Sequence, residues 1–412
     1  MSAYHSEMAL MPHIMAMERR GVHLATKELK RDLEQSKMHL LWLDDAICKK
    51  LGRQVEVDSN ASLADAIEAA GLSSGFAQTP TGKRSTSKSS LIDAIEDKEL
   101  LGHLLMRGAL ATCIRTFLMP WHEQAERYGK LYVRFNQIRN YDEVGARTGR
   151  ISSSPNMQNI PSEFEKLKGQ LAKIGFIMPF ELPNCRKYIV PRPGCMFVSR
   201  DYAAQEFRLL AHFAGGRLLK ALQDNPYTDP HQLAADLAGI TRKEAKTLAF
   251  AIIYGAGAAR IAEQLEITYA KAESIKKKYL EVFPDIKTFQ RHLNDNARAH
   301  IPIETLAGRR YHVEQPKVID GRLRTFEYKL LNYKIQGSAA DQTKQAMYQY
   351  AENTIHGELV LSVHDQVVVQ VPVEHLNIER TELTRAVNGA YQDILKYEVV
   401  SDESIGDSYA TV

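Results

Sequence analysis

Three stretches of this chain combine residue types and spacings that could carry out chemistry. The first is Asp201-Tyr-Ala-Ala-Gln-Glu206, where a short apolar run, Cys195 to Arg200, gives way to a helical pattern from Gln205 to Ala214. A carboxylate at a strand end projects toward solvent and can hold a hard cation such as magnesium. The plainer reading is an Asp that caps the helix behind it. The second stretch runs from Thr241 to Tyr254. Thr241 and Glu244 form a capping box that fixes a helix start, and Arg242, Lys246, Phe250 and Tyr254 then recur every four residues. Each step drifts only about 40° around the helix and climbs about 6 Å, so the four share one slanted face. Cations near the positive helix start, with rings about 12–18 Å further along, match a nucleoside triphosphate in length and order. The alternative is an amphipathic helix with both rings in the core and both cations in water. The third stretch is His364-Asp365-Gln366, flanked by the β-rich runs Glu358 to Val363 and Val367 to Val371, which reads as a hairpin with a polar tip. Its Asp suits the second acid of a two-metal site, although a turn Asp bonding its own backbone is the commoner arrangement.

Together the three stretches describe phosphoryl transfer, which needs positioning and charge neutralisation more than covalent help. Two acids far apart in sequence can hold two magnesium ions about 3.5–4 Å apart. One ion would acidify a primer 3′-hydroxyl while the other clamps the triphosphate and the leaving pyrophosphate.

The elements that must position these residues follow from the rest of the sequence. A chain of 412 residues is too long for one ordinary core, which implies two or three packed subdomains. Apolar residues at 44% and charged residues at 25% are ordinary for a globular protein, and the net charge of +3 argues little by itself. The charge is uneven, however: from Val371 onward three basic residues (Arg380, Arg385, Lys396) face eight acidic ones, so the rest of the chain holds the positive excess. Such a body favours phosphate contacts, though solvated surface charge explains the same count. Cys48, Cys113, Cys185 and Cys195 have neither C-x-x-C spacing nor the pattern of a disulfide framework, which fits a reducing, cytoplasmic setting. The N-terminus lacks a signal-peptide layout, no apolar run is long enough to span a bilayer, and no repeats appear. To about Trp121 the pattern is mostly helical, with a long helix over Glu28 to Lys49 whose apolar stripe is Leu33, Met38, Leu41 and Ala46. The Ser/Thr/Gly-rich segment Thr79 to Ser90 reads as a loop whose cations Lys83, Arg84 and Lys88 either grip phosphates or sit in water. From Leu131 the pattern changes to short strands and helices, and Gly255-Ala-Gly257 ends the Thr241 helix.

At these residues the chain resembles family A (DNA polymerase I-like) DNA polymerases. The family's D-Y-x-x-x-E motif is similar to Asp201, Tyr202 and Glu206. Its R-x-x-x-K-x-x-x-F-x-x-x-Y-G motif is filled at every position from Arg242 to Gly255, and its H-D-E motif corresponds to His364, Asp365 and Gln366. Thr148-Gly-Arg-Ile-Ser-Ser153, Pro155-Asn-Met-Gln-Asn-Ile-Pro161, Gly308-Arg-Arg310, Gln336-Gly-Ser-Ala-Ala-Asp341 and Ile405-Gly-Asp407 also look like family stretches. The resemblance runs from Met17-Glu-Arg-Arg-Gly-Val22 to the C-terminus.

The resemblance implies an α+β, right-hand polymerase fold: an N-terminal palm-associated segment (1–24), a thumb (25–130), a palm carrying an antiparallel sheet (131–215 and 301–412) and helical fingers (216–300). It implies a template-directed DNA polymerase using two Mg2+ ions, with Mn2+ as a substitute. Asp201, Asp365 and the Tyr202 carbonyl would be metal ligands. Gln205, Glu206, His231, Arg242, Lys246, Phe250 and Tyr254 would hold the deoxynucleoside triphosphate, with Lys246 protonating the departing pyrophosphate and Glu206 crowding the space of a ribose 2′-hydroxyl. Arg150, Gln158, Asn332, Gln336 and His364 would touch DNA near the primer end, where minor-groove acceptors common to all pairs report pair shape; Lys83, Arg84 and Lys88 would grip it from the thumb. The implied partners are primer–template DNA and dNTPs, with any exonuclease, helicase or clamp on separate chains, no membrane, and a monomeric state.

Three departures stand out. Gln366 replaces the family's usual Glu and cannot add charge, though two acids remain. Tyr328 stands where an Arg is usual, four residues before Asn332, with Lys329 beside it. Fewer than about 30 residues precede the long thumb helix, so no proofreading domain is expected in this chain. The compact size and Gln366 point to a phage or plasmid enzyme. A single-subunit RNA polymerase is the neighbouring alternative, opposed by Glu206. A catalytically silent DNA-binding scaffold is the alternative from another class, opposed by the presence of both Asp201 and Asp365.

Overall fold

The computed structural model describes residues 2–79, 81–161, 164–319 and 321–412. At its centre lies a four-stranded antiparallel sheet with the order Glu358–Val363, Gln366–Pro372, Cys195–Tyr202, Ser401–Gly406. The first two strands form the expected hairpin, in which only His364 and Asp365 lie outside the strands because Gln366 already pairs with Val363. Alternation divides the inner strand between two faces. Arg200 and Tyr202 reach the Leu376–Gly389 helix, through Thr384 and through a Tyr202 hydroxyl that donates to the Val387 carbonyl at 2.9 Å. Ser199 and Asp201 therefore belong to the opposite face.

The Lys329–Asn353 helix is buried nearly all round and passes beside this sheet. Its Gln336-Gly-Ser-Ala-Ala run is small because neighbouring chain comes close: a Cβ on Gly337 would lie 2.7 Å from Thr305 Cγ2. The Ala3–Arg20 helix packs along it, and an ion network ties the two together. Glu7 accepts from Arg309 Nη2 at 2.6 Å and from Lys344 Nζ at 2.5 Å, Arg309 also bonds Asp341, and Lys344 is only 2% exposed. Buried charges of this kind are held only where each has a partner.

The long helix spans Thr26–Leu51, but its buried stripe differs from the expected one. Leu29, Leu33, Leu43, Ile47 and Leu51 face inward, whereas Met38 and Leu41 are 64% and 69% exposed. The sequence offers apolar residues on two flanks of this helix, and packing against the Lys98–Cys113 helix selects one of them. The Thr79–Ser90 segment is a loop only to Ser87, where the Lys88–Ala94 helix begins with the Ser87 hydroxyl as its cap. All four cysteines are free and buried. Among the described residues, no helix is long and apolar enough to cross a membrane.

Candidate active site

The sheet register assembles the acidic centre. Asp201 lies directly opposite Gln366 on one side and Asp402 on the other. The Tyr202 amide donates to the Asp365 carbonyl at 3.2 Å, which pins the hairpin tip to the end of the inner strand. The Asp201 and Asp365 carboxyls lie within electrostatic reach of each other. Desolvation in the cleft, with the negative charges of Asp365 and Asp402, pushes Asp201 up to about 7. Asp201 keeps an open solvent side, so the repulsion is the component a bound cation would relieve. Two non-glycine residues beside the acids, Ala204 (φ 50°) and His364 (φ 57°), adopt left-handed backbone. Each costs roughly 1 kcal/mol and persists only where the surroundings fix it.

Gln366 points to the same face as Asp201. Its amide nitrogen donates to Ser199 Oγ at 3.2 Å, and its carbonyl oxygen accepts from the Tyr409 hydroxyl at 3.2 Å. Arg186 stacks over the Tyr409 ring at 5.1 Å. The departure from Glu is thus accommodated by neutral partners.

A cleft of ≈ 330 Å³ opens beside the acids, lined by Arg150, Ala204, Gln205, Glu206, Phe207, His231, Phe250, Tyr254, His364 and Asp365. Glu206 is buried on its wall. One carboxylate oxygen accepts from Arg150 and, at 3.3 Å, from Gln336, whose amide also donates to the Tyr254 hydroxyl; the other oxygen has no partner among the described residues. Burial raises the Glu206 carboxyl above its ordinary range, against the pull of Arg150.

The facing wall is the Arg242–Ile253 helix, whose Thr241–Glu244 capping box is fully formed. Ala245, Leu248, Ala249 and Ile252 bury its back. Phe250 and Tyr254 remain 36% and 44% exposed, so they lie toward the cleft and not in the core. Lys246 is exposed and has no ion-pair partner among the described residues, while Arg242 Nε bonds Asp229 at 2.7 Å. His231 lies between Phe207 (ring centroids 5.0 Å apart, stacked) and Phe250 (6.2 Å). Burial and the nearby cations Lys246 and Arg242 hold its ring down to about 4, against the pull of Asp229, so it is neutral at pH 7, and its buried Nδ1 has no partner among the described residues.

Several sequence-derived candidates point elsewhere. The Gln205 amide turns into the Lys329–Asn353 helix, donating to Gln342 Oε1 at 3.1 Å and the Ala339 carbonyl at 3.3 Å. Gln158 bridges Ser153 and the Ser362 carbonyl, bracing the edge strand. Arg84 is paired with Asp65 and Glu68, which leaves Lys83 and Lys88 as the exposed cations of that segment. Asn332 keeps a buried Oδ1 without a partner among the described residues, as an unfilled contact would. Asp402 joins the site only through strand pairing across distant sequence and Tyr409 through the chain that follows that strand, so no local pattern marks them, whereas Ser199 shares the face of Asp201 two residues earlier in the same strand.

All-oxygen donors around Asp201 and Asp365 suit a hard cation such as Mg2+. Among the described residues no group of three or more His, Cys, Asp or Glu side chains forms a metal cage. An ion held here would complete its shell with backbone carbonyl, water or phosphate oxygens, as Mg2+ commonly does. The arrangement can therefore hold hard cations beside a polyphosphate, with rings further along to receive a sugar and base.

Residues 26–411 match DNA polymerase family A. The chain is 27% identical to the thermostable DNA polymerase I of Thermus aquaticus, covering 95% of this chain and 46% of that protein. It is 30% identical to DNA polymerase I of Rhizobium leguminosarum, covering 89% of this chain and 36% of that protein. The chain thus spans less than half the length of these curated relatives. Its fold is similar to the solved POL domain of Pol1 from M. smegmatis in complex with DNA primer-template and dNTP, with a TM-score of 0.81, 22% identity, and 98% of this chain and 70% of that one covered. The chain belongs to DNA polymerase family A.

Proposed function

We propose that this chain is a template-directed DNA polymerase that adds deoxynucleotides to a primer 3′-hydroxyl. The observation that carries the reading is the meeting of Asp201 and Asp365 beside a cleft whose far wall presents Phe250 and Tyr254, with Lys246 of the same helix near His231. In this reading residues 25–130 are the thumb, 131–215 and 301–412 the palm, and 216–300 the fingers. Its substrates are primer–template DNA and dNTPs in the cytoplasm.

Asp201 and Asp365, with the Tyr202 carbonyl, would hold two divalent ions, Mg2+ or Mn2+, which supply charge neutralisation at the attacking and leaving oxygens. The chain's own groups do the positioning. Lys246 and Arg242 grip the triphosphate from the helix start, where partial positive charge already favours phosphate. Arg242 must exchange Asp229 for phosphate to do so. Neutral His231 offers one N–H and no charge, so it orients a phosphate oxygen without competing for the ions. Lys246, unpaired and exposed, delivers a proton to the departing pyrophosphate. Phe250 lies along the sugar, and Glu206, locked by Arg150 and Gln336, closes the space beside its 2′ carbon. Tyr254 and Gln336 meet at the position of the new base pair, and His364 supports the primer end.

The test is extension of a labelled primer–template with magnesium, offering deoxy- or ribonucleotides, beside an Asp365→Asn variant. Templated deoxynucleotide addition that disappears in the variant is the expected result. A wild-type chain that binds DNA and extends nothing would refute the reading in favour of a silent scaffold.

A further inference from the structure

We propose that the two-stranded ribbon Lys317–Ile319 and Arg322–Arg324 is a second DNA-binding element, which grips the phosphates of duplex DNA lying ahead of the insertion site. The ribbon's pairing is Lys317 with Arg324, Val318 with Leu323 and Ile319 with Arg322. Directly paired residues share a face and neighbours along a strand alternate. One face therefore carries Lys317, Ile319, Arg322 and Arg324, and the other carries Val318 and Leu323.

Every residue of both strands is exposed, with Val318 and Leu323 at 71% and 69%. None of the three cations has an ion pair or side-chain hydrogen bond among the described residues. Cations nearby are committed: Arg298 to Asp295, Arg310 to Glu304 and Lys329 to Glu314. A two-stranded ribbon with both faces in water is marginally stable at best, so this one has the character of an element completed by a partner. Charge complementarity selects a polyanion. The shape selects duplex DNA, whose major groove admits a two-stranded ribbon. Lys317, Arg322 and Arg324, which share one face, would meet the phosphates.

The ribbon's root supplies the location. Thr325–Glu327 joins it to Tyr328, whose ring packs against Gly255 at the end of the Arg242–Ile253 helix. A Cβ on Gly255 would come within 2.5 Å of Tyr328 Cδ2. The ribbon thus springs from beside Tyr254 and the first turns of the helix that carries Asn332 and Gln336. The inference rests on the DNA-binding part of the proposed function, though not on catalysis.

The experiment is fluorescence anisotropy of the whole chain, without nucleotide, on two labelled DNAs. One is a primer–template followed by downstream duplex across a short gap; the other has only a single-stranded template ahead of the primer. The variants are Lys317→Ala/Arg322→Ala/Arg324→Ala and, as a control for net charge, Lys277→Ala/Lys278→Ala/Lys287→Ala. Circular dichroism checks that each is folded. The wild type should bind the DNA with downstream duplex more tightly and with a steeper salt dependence. The ribbon variant should lose about 2–3 from that log–log slope, at roughly 0.9 per phosphate, and treat the two DNAs alike. The control should keep the difference. Wild-type affinity and slope in the ribbon variant, or an equal loss in the control or on the single-stranded template, would overturn the proposal. A wild type that binds neither DNA would sink the polymerase reading itself, and the ribbon's role with it.

Discussion

Restoring a carboxylate at position 366 tests how the acidic centre is balanced. Gln366 lies directly across from Asp201, on a strand pair whose Cβ atoms are spaced about 5 Å apart. A Glu there, kept in place by the hydroxyls of Ser199 and Tyr409, would add a charge beside Asp201, Asp365 and Asp402. Two carboxylates about 5 Å apart repel by roughly 3 kcal/mol at an effective dielectric near 20, and solvent on the open side of Asp201 trims this to about 1–3 kcal/mol. Unfolding entropy near 2.1 cal/mol/K per residue gives about 0.9 kcal/mol/K for this chain. Gln366→Glu should therefore melt about 1–3 °C below wild type in EDTA at pH 8, where Asp201 is largely ionised. Magnesium should recover the loss, and single-turnover incorporation should change by less than about tenfold, or 1.4 kcal/mol. Scanning fluorimetry and rapid-quench extension read both quantities. Undiminished stability in EDTA would refute the repulsion argument, and a sharply higher rate would refute the argument that neutral partners have made Gln366 tolerable.

Two further outcomes follow from buried groups. Burial and the cations Lys396 and Lys334 hold His212 down to about 4, and its Nδ1 accepts from the Lys396 amide at 3.3 Å; His231 is held equally low. The unfolded chain binds these protons near pH 6.5, so the stability is complete above 6.5 and is lost as the pH falls toward 4, by about 2 kcal/mol per histidine at pH 5. His212→Gln should lose about 2 kcal/mol less than wild type between pH 7.5 and 5 in urea melts, and parallel losses would contradict the assignment. Glu7→Ala leaves Arg309 with Asp341 and buried Lys344 with only the Gln137 carbonyl, and should cost about 3–5 kcal/mol. Lys344→Met should cost less, because Glu7 keeps Arg309; equal losses in the two variants would argue against the network.

The sequence was most legible where a local pattern determines the structure. The capping box at Thr241 and the four-residue recurrence behind it define a helix, and the helix formed as read. The hairpin around His364-Asp365 was legible because β-branched runs flank a polar tip. Side-chain direction was less legible. Gln205 stands beside the site in sequence, yet its amide satisfies the Lys329–Asn353 helix, and Arg84 spends its charge on Asp65 and Glu68. Met38 and Leu41 have the spacing of a buried stripe, yet the partner helix packs on the other flank. Asp402 and Tyr409 could not be read at all, since Asp402 reaches Asp201 only through the register of a strand distant in sequence and Tyr409 only through the chain that follows that strand.

That register also governs how the molecule comes into being. The strand bearing Asp201 pairs on one edge with Gln366–Pro372 and on the other with Ser401–Gly406. As the chain is synthesised, both edges stay open until these two later segments emerge. Long-range strand pairing of this kind is slow, and unpaired edges are prone to association while they wait. The nascent protein must therefore carry an incomplete sheet until both later strands have been made. Asp201 and Asp365 meet only after the segment between them has been made, so a chain cut short before Gln366–Pro372 keeps an open edge on the strand that bears Asp201.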